Sequence, residues 1–192
     1  REKIIMQEDV LEKNLHFVLK TIGANSISMS DLASQRIKNE NWLLTFDDGY
    51  LSDYKIVFPL LVKFNAKALF FIITSKIGSP EYLNWDQVRF LAESGMDIGS
   101  HSVSHMDMLS LNQEDVSKEL KDSKNIIEDK IGKKIKYFSF PYGRYSKNIF
   151  NEAINSGYEY CFSSFPGLHS NNEKLIPRIG LVNSMDKSDY MS

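Results

Sequence analysis

The chain has 192 residues, of which 42% are hydrophobic, and this is enough apolar content for one domain with a sizeable core. Its 23 basic and 25 acidic residues give a formal net charge of −2 without a basic block, so nucleic acid is not expected as a partner. No apolar run reaches the ~18 residues of a membrane-spanning helix, and the single cysteine, Cys161, excludes an internal disulfide.

The first predicted elements are helical. Residues 8–20 space their apolar side chains along one helical face, and Gly23 ends this pattern. A second helix is predicted from residue 31. We therefore expect an N-terminal helical segment over about residues 1–40, attached to a single catalytic domain that covers residues 1–192.

From Trp42 onward, predicted strands and helices alternate. The strands fall at residues 42–46, 67–73, 96–99, 135–140 and 158–163, with a further candidate at 177–182. The helices fall at residues 52–64, 85–94, 112–131 and 146–156. This alternation predicts βαβ units, and hence a parallel sheet or barrel covered by helices. In such folds, ligands bind at the carboxyl ends of the strands.

The first predicted strand ends in two adjacent carboxylates. In "LLTFDDGY", residues 43–50, Asp47 and Asp48 follow an apolar run and precede Gly49. Neighbouring ionised carboxylates repel each other and resist burial, unless a cation or a shared proton relieves both effects. The alternative is an ordinary Asp-Gly turn in which both side chains face water.

A pair of histidines follows another predicted strand end. "GMDIGSHSVSH", residues 95–105, places His101 and His105 four residues apart, so that one helical turn or a compact loop could bring both imidazoles to one metal ion. Two histidines and one aspartate predict a Zn²⁺ site with an open coordination position, which is typical of a catalytic rather than a structural metal.

A third stretch, "YFSFPYGRYS" at residues 137–146, also ends a predicted strand. Taken alone, it is typical of a structural Pro-Gly corner. If it lies beside the metal, the backbone N–H of Tyr142 could point at an oxyanion, and Gly143 could let a substrate approach closely.

The motifs "TFDDGY", "SHSVSH" and "FPYG", in this order, resemble the first three motifs of the polysaccharide deacetylases, the NodB-homology or carbohydrate esterase family 4 proteins. The segments "LVKFNAKALFFI", "WDQVRFLAESGMDIGSHSVSH" and "LIPRIGL" are similar to the family as well. The resemblance is best over residues 42–182, and its nearest branch is that of the biofilm poly-N-acetylglucosamine deacetylases.

The resemblance implies an α/β fold, a distorted (β/α) barrel with about seven or fewer parallel strands. It implies that Asp48, His101 and His105 bind a divalent metal, with Zn²⁺ first and Co²⁺ or Ni²⁺ as substitutes, and that Asp47 is the general base. The implied reaction is hydrolysis of N-acetyl groups from an N-acetylated glycan, with release of acetate. The residues expected to contact that substrate are Tyr50, Pro141, Tyr142 and Gly143.

The resemblance also implies an extracytoplasmic or cell-envelope location, with a cytoplasmic one still open. Because the sequence starts at Arg1, a preceding signal peptide or anchor stays open too. The identity of the glycan and the oligomeric state cannot be inferred from the sequence.

Two positions depart from the family pattern. Where the third motif has an arginine that orients the base, this chain has Ser139. Arg178 in "PRIG" is the preferred replacement, and Arg144 is the alternative. The general acid of the family is a histidine in a Leu-x-His motif. Here "GLHSNN" offers His169 at a different spacing, so that a solvent-facing loop histidine is the alternative.

Two other functions remain open. A phosphotransferase or phosphatase could use Asp47 as a nucleophile, but such enzymes generally need a second aspartate where this chain has Gly49, and the histidine pair would have no role. A catalytically weak or inactive carbohydrate-binding protein could retain the fold and the metal site, in agreement with the missing arginine at Ser139.

Overall fold

The computed structural model describes residues 8–17, 25–34, 41–167 and 173–180. The strands in these residues are β1 Asn25–Ser26, β2 Asn41–Trp42, β3 Leu44–Phe46, β4 Ala68–Ile72, β5 Asp97–Ser100, β6 Tyr137–Ser139, β7 Tyr160–Phe162 and β8 Leu175–Ile176. The α-helices are α1 Glu8–His16, α2 Met29–Ala33, α3 Phe58–Phe64, α4 Trp85–Glu93, α5 Gln113–Ile131 and α6 Lys147–Asn155.

Six of the strands form one parallel sheet. Its order is β3-β4-β5-β6-β7-β8, so each strand pairs with the next one along the chain. Helices α3, α4, α5 and α6 connect successive strands of this sheet. The predicted fold class, a distorted (β/α) barrel with about seven or fewer parallel strands, is confirmed. Strands β1 and β2 form a separate two-stranded parallel sheet.

Both faces of the main sheet are buried, as the unbroken apolar run of β4 requires. Along this strand the side chains alternate between faces. Phe70 and Ile72 join the large core between the sheet and its helices. Leu69 and Phe71 join a smaller cluster on the other face, which is completed by Met29, Phe162 and Ile176. This smaller cluster fills the inside of the half-barrel.

The structure corrects two predicted elements. Residues 53–57 of the helix predicted at 52–64 form a π-helix, Asp53–Val57, in which the N–H of Phe58 bonds to the carbonyl of Asp53. Pro59 lies next in the chain and has no N–H to continue an α-helical pattern. The strand candidate at 177–182 is wrong: the strand is β8, and residues 177–180 are irregular, while 181 and 182 lie outside the described residues.

The N-terminal segment contains α1 and α2, and α2 begins at Met29, two residues before its predicted start at residue 31. The cap of α2 is Ser28, whose hydroxyl accepts a hydrogen bond from the N–H of Asp31, whereas Ser30 lies inside the helix.

No helix among the described residues combines the length and the apolar character that a membrane span requires.

Candidate metal centre and active site

The predicted site residues come together at the carboxyl edge of the main sheet. Asp47 and Asp48 follow β3, and His101 follows β5, with His105 four residues further on. Arg178 lies two residues after β8. Three separate strands therefore deliver the charged groups of one site, as the strand-end rule for parallel sheets predicts.

Asp48, His101 and His105 form a compact group of possible metal ligands. Oδ1 of Asp48 lies 3.5 Å from Nε2 of His101 and 3.5 Å from Nε2 of His105. One ligand atom from each residue lies within 4.8 Å of the others. The donor set is thus two imidazole nitrogens and one carboxylate oxygen that face a common point.

This geometry fits a tetrahedral divalent cation. Zinc–ligand bonds of about 2.1 Å place tetrahedral ligands about 3.4 Å from each other, and the two measured Asp48–histidine distances agree with this value. Nδ1 of His101 donates a hydrogen bond to the backbone carbonyl of Ser139 at 2.7 Å. Because Nδ1 carries the hydrogen, Nε2 keeps its lone pair for a metal.

The two histidines are presented by a loop and not by a helical turn. Ser102 and His105 have left-handed backbones, with φ of 68° and 60°, so the loop reverses direction between the imidazoles. The hydroxyl of Ser102 accepts a hydrogen bond from the N–H of His105 at 2.9 Å. Burial and the neighbouring His101 imidazole lower the pKa of His105, which favours the neutral form of the His105 ring.

Asp47 has different partners from Asp48, although the two are adjacent. Its two carboxylate oxygens accept hydrogen bonds from Nη1 and Nη2 of Arg178 at 2.7 and 2.8 Å. Burial alone would raise the pKa of Asp47, but the Arg178 guanidinium, the His101 imidazole and the Ser139 hydroxyl together hold this pKa well below its ordinary range. Asp47 is therefore ionised at neutral pH.

Arg178 is itself held firmly in this position. Its Nε donates to the carbonyl of Ser163 at 2.9 Å, and its Nη2 donates to the Ser139 hydroxyl at 2.9 Å. The guanidinium also lies 5.6 Å from the ring centre of Phe71 and 5.9 Å from that of Phe162. The small Ser139 side chain thus stands where the family has an arginine and binds the arginine that reaches Asp47 from β8.

The alternative cation, Arg144, points elsewhere. Its Nη1 forms an ion pair with Oδ2 of Asp107 at 2.8 Å, and the Arg144 side chain is 56% exposed. Of the two arginines considered from the sequence, the structure brings Arg178 to Asp47.

The residues predicted to contact substrate surround the metal group unevenly. The ring of Tyr142 lies 4.7 Å from the ring of His105 and is 45% exposed. Tyr50 stacks on Tyr82 at 5.0 Å, and burial together with the Asp48 carboxylate raises the pKa of Tyr50. Both tyrosines therefore present aromatic rings at the edge of the site.

Pro141 and Gly143 are buried in the turn after β6. Gly143 has φ of 68°, and a Cβ at this position would overlap the backbone N of Ser164. Because Gly143 has no side chain, the loop after β7 can pack against it. The sequence analysis had instead assigned this space to the approaching substrate. Substrate contact by the Pro141 and Gly143 backbone stays a prediction.

A third carboxyl, that of Asp53, lies near the pair. Burial, followed by the negative charges of Asp48 and Asp47, holds the pKa of Asp53 well above its ordinary range. Asp53 is 4% exposed, and its Oδ2 has no hydrogen-bond partner among the described residues. Burial and the two neighbouring aspartates therefore disfavour a third negative charge at this site.

His169, the expected general acid, lies outside the described residues.

One group that contacts the loop between His101 and His105, the histidine loop, was not predicted from the sequence. The missed group is Glu119 on α5, whose carboxylate binds the backbone N–H groups of Val103 and Ser104. A sequence signal was present, because Glu119 lies three residues after Val116 and so carries a charge close to the apolar face of its helix.

Comparison with known proteins agrees with this geometry. A profile described as "Polysaccharide deacetylase" matches residues 34–161. Bacillus subtilis YxkH is 31% identical over 133 residues, which are 69% of this chain and 48% of that protein. The peptidoglycan-N-acetylglucosamine deacetylase of Bacillus cereus is 29% identical over 117 residues, 60% of this chain and 53% of that protein. The chain spans about half the length of these two relatives.

Solved structures share the fold at lower identity. The Streptococcus pyogenes deacetylase PplD, in complex with acetate, is 23% identical with a TM-score of 0.88, covering 100% of this chain and 88% of that chain. The deacetylase domain of BpsB from Bordetella bronchiseptica is 24% identical with a TM-score of 0.77, covering 92% and 84%. IcaB from Ammonifex degensii shares the fold as well, at 21% identity with a TM-score of 0.74, covering 91% of this chain and 83% of that chain.

The profile match covers more than half of the sequence and includes all three motifs on which the resemblance depends. This chain belongs to the polysaccharide deacetylase family.

Proposed function

We propose that this chain catalyses the metal-dependent hydrolysis of N-acetyl groups from an N-acetylated sugar or polysaccharide, with release of acetate. The observation that carries the proposal is that the two adjacent carboxylates have different partners. Asp48 faces two imidazole nitrogens at 3.5 Å, whereas Asp47 is ionised and held by Arg178.

In this proposal Asp48, His101 and His105 hold a divalent cation, with Zn²⁺ the first choice and Co²⁺ or Ni²⁺ as substitutes. A cation bound there would supply Lewis acidity, which lowers the pKa of a nearby water enough for a weakly basic carboxylate to deprotonate it. Asp47 takes that proton. Arg178 keeps the Asp47 carboxylate charged and holds it in one orientation. A carboxylate held in this way accepts a proton more readily than one that rotates freely.

Three further roles belong to this proposal, and the family resemblance implies the first two. The backbone N–H of Tyr142 stabilises the oxyanion that forms on the acetyl oxygen, since the Tyr142 ring already lies beside His105. His169 is the proposed general acid that protonates the leaving amine. Tyr50 and Tyr142 offer aromatic faces to sugar rings at the rim of the site.

In this proposal the substrate is an N-acetylated glycan, and the protein acts outside the cytoplasm or in the cell envelope. The support comes from relatives named for peptidoglycan and chitin deacetylation, at 29% and 31% identity. Chito-oligomers and peptidoglycan fragments are accordingly the first substrates to assay.

The decisive experiment measures acetate and free amine released from these glycans by metal-stripped protein and by protein reloaded with Zn²⁺, Co²⁺ or Ni²⁺. Asp47→Asn keeps the side-chain shape but removes the base, so we expect activity to fall by about 10²-fold or more while Co²⁺ still binds. His105→Ala should lose both metal binding and activity. Asp129→Asn on the exposed face of α5 is the matched control and should behave as the unmodified chain.

Each alternative function has its own outcome in this assay. Acetate release that survives both chelation and Asp47→Asn would overturn the proposal. Metal binding without acetate release from any glycan would support the carbohydrate-binding alternative. Phosphate release from a phosphoester that is insensitive to His105→Ala would support the phosphatase.

A further inference from the structure

The loop between the two histidine ligands is bound by a carboxylate from a different element. Oε2 of Glu119 accepts hydrogen bonds from the backbone N–H groups of Val103 and Ser104, at 2.8 and 2.9 Å. Its Oε1 accepts a hydrogen bond from the Ser104 hydroxyl at 2.6 Å. One carboxylate side chain thus receives three hydrogen bonds from two residues that lie between His101 and His105.

This loop requires external support because its backbone is unusual. Ser102 and His105 both adopt left-handed φ values, which residues other than glycine rarely occupy unless the surroundings impose them. The carbonyls of Ser102 and Val103 accept hydrogen bonds from the N–H groups of Thr74 and Ser75, on the loop that follows β4. Glu119 binds N–H groups of the same short loop, so both the carbonyl groups and the N–H groups of this loop have hydrogen-bond partners on other elements.

Helix α5 is a rigid support for this carboxylate. Val116, Leu120 and Ile127 are buried and anchor the helix against the sheet. One turn beyond Glu119, the hydroxyl of Ser123 accepts a hydrogen bond from the Ser100 hydroxyl at 2.8 Å, at the end of β5. Glu119 and Ser123 are four residues apart and therefore share one face of α5, which contacts β5 and the histidine loop together.

We infer that Glu119 is a positioning residue for the metal centre: it fixes the 102–105 loop so that the two imidazole nitrogens stay within reach of one cation. The inference rests on the proposed function insofar as the cation is concerned. Charge-assisted hydrogen bonds to backbone N–H groups are among the stronger ones in proteins, and partners that orient ligands strongly affect metal affinity.

The first test titrates metal-stripped protein with Co²⁺ and follows the Co²⁺ absorption spectrum. Glu119→Ala should raise the Kd about 10- to 100-fold and change the spectrum, because the His105 nitrogen no longer has a fixed position. Glu119→Gln should give a smaller increase, because its amide oxygen still accepts from both N–H groups. Glu114→Ala on the same helix is the matched control and should leave the Kd unchanged. Among the ion pairs of the described residues, Glu114 pairs only with Lys118, at 2.7 Å.

The second test needs no metal. Hydrogen exchange of the Val103 and Ser104 amides in metal-stripped protein should be clearly faster in Glu119→Ala, while exchange in β4 and β7 stays the same. If Glu119→Ala does not fold, Glu119→Gln is measured in its place and should show the same direction with a smaller change.

The two tests separate the inference from the proposed function. Failure of the unmodified chain to bind any divalent metal overturns the proposed function, and with it the role of Glu119 toward a metal. Tight metal binding in the unmodified chain, with the same Kd, spectrum and amide exchange in Glu119→Ala, overturns the inference alone.

Discussion

At the scale of single residues, the backbone decides how two adjacent aspartates differ. Asp48 has a φ of 76°, and Gly49 follows with 74°, so the chain turns sharply after β3. The Asp47 carboxylate contacts the Arg178 guanidinium, whereas the Asp48 carboxylate faces the two imidazoles. The adjacent carboxylates thus have different partners, and the Arg178 guanidinium offsets part of the mutual repulsion that makes such a pair unfavourable in isolation.

We predict that Arg178→Gln moves the acid limb of the pH–rate profile to higher pH. Because Arg178 lowers the pKa of Asp47, its removal lets Asp47 take up a proton at a higher pH, and activity is lost earlier as the pH falls. We expect kcat/KM for acetate release to show an upward shift of about one pH unit or more.

The matched control for this change is Arg144→Gln. Arg144 pairs with Asp107 and not with Asp47, so its removal should leave the acid limb in place. Equal profiles for the two variants would contradict the role of Arg178.

At the scale of elements, helices were predicted more accurately than strands and turns. The predicted boundaries of α4, α5 and α6 differ from the structure by no more than one residue. Their ends carry local signals: Asn84, Asn112 and Ser146 cap the first turns, and Gly132 ends α5 with a φ of 68°. Such signals lie within a few residues of the ends that they determine.

The elements that were not predicted depend on distant contacts. Strand β8 has only two residues, and its pairing with Cys161 and Phe162 leaves no local pattern in the sequence. The π-helix before α3 shares the apolar periodicity of an α-helix and differs only in hydrogen bonding. Neither feature is visible in hydrophobic spacing.

We predict that Glu128→Gln destabilises the junction of α5 and β6 in a pH-dependent way. Glu128 accepts hydrogen bonds from Lys134 at 2.6 Å and from the N–H of Ile135 at 3.1 Å, and it pairs with Lys124 at 2.9 Å. Although burial acts to raise its pKa, these partners hold the pKa of Glu128 below its ordinary range. The stabilisation is therefore present above that range and lost as pH falls through the lowered pKa.

Urea unfolding of the two proteins measures this difference. Near pH 7, Glu128→Gln should reduce the free energy of unfolding by about 1 kcal/mol, and near pH 3 the difference should shrink toward zero. A difference that grows toward acid pH would contradict this explanation.

At the scale of the whole molecule, the site depends on the filling of the half-barrel. Phe71 and Phe162 of the smaller cluster pack under the guanidinium of Arg178, so the same side chains support the fold and the arginine that holds Asp47. The strand-end rule correctly predicted that the aspartates and the histidines would meet. It could not predict Glu119, because the contact depends on how α5 docks on the sheet and not on any strand end.

We predict that Gly99→Ala reduces both stability and activity. A Cβ at Gly99 would lie 2.6 Å from Cε1 of Phe71 and 2.9 Å from the carbonyl oxygen of Tyr137, so Phe71 must shift. Overpacking of this kind costs about 1–3 kcal/mol, which thermal unfolding measures, and acetate release should fall because Phe71 contacts Arg178.

The control for this prediction is Gly180→Ala. A Cβ at Gly180 meets nothing within 4 Å among the described residues, so both measurements should stay unchanged. A Gly99→Ala protein with the stability of the unmodified chain would show that the smaller cluster can rearrange freely.

The contact between Arg178 and Asp47 spans 131 positions of the sequence, and it has a consequence during synthesis. A nascent chain on the ribosome that has passed the histidine loop already contains every proposed metal ligand. Its Asp47 acquires a guanidinium partner only after β8 has emerged and paired with β7. The proposed metal ligands are therefore synthesised well before the arginine that holds Asp47, and a chain that ends before β8 would lack this partner of the Asp47 carboxylate.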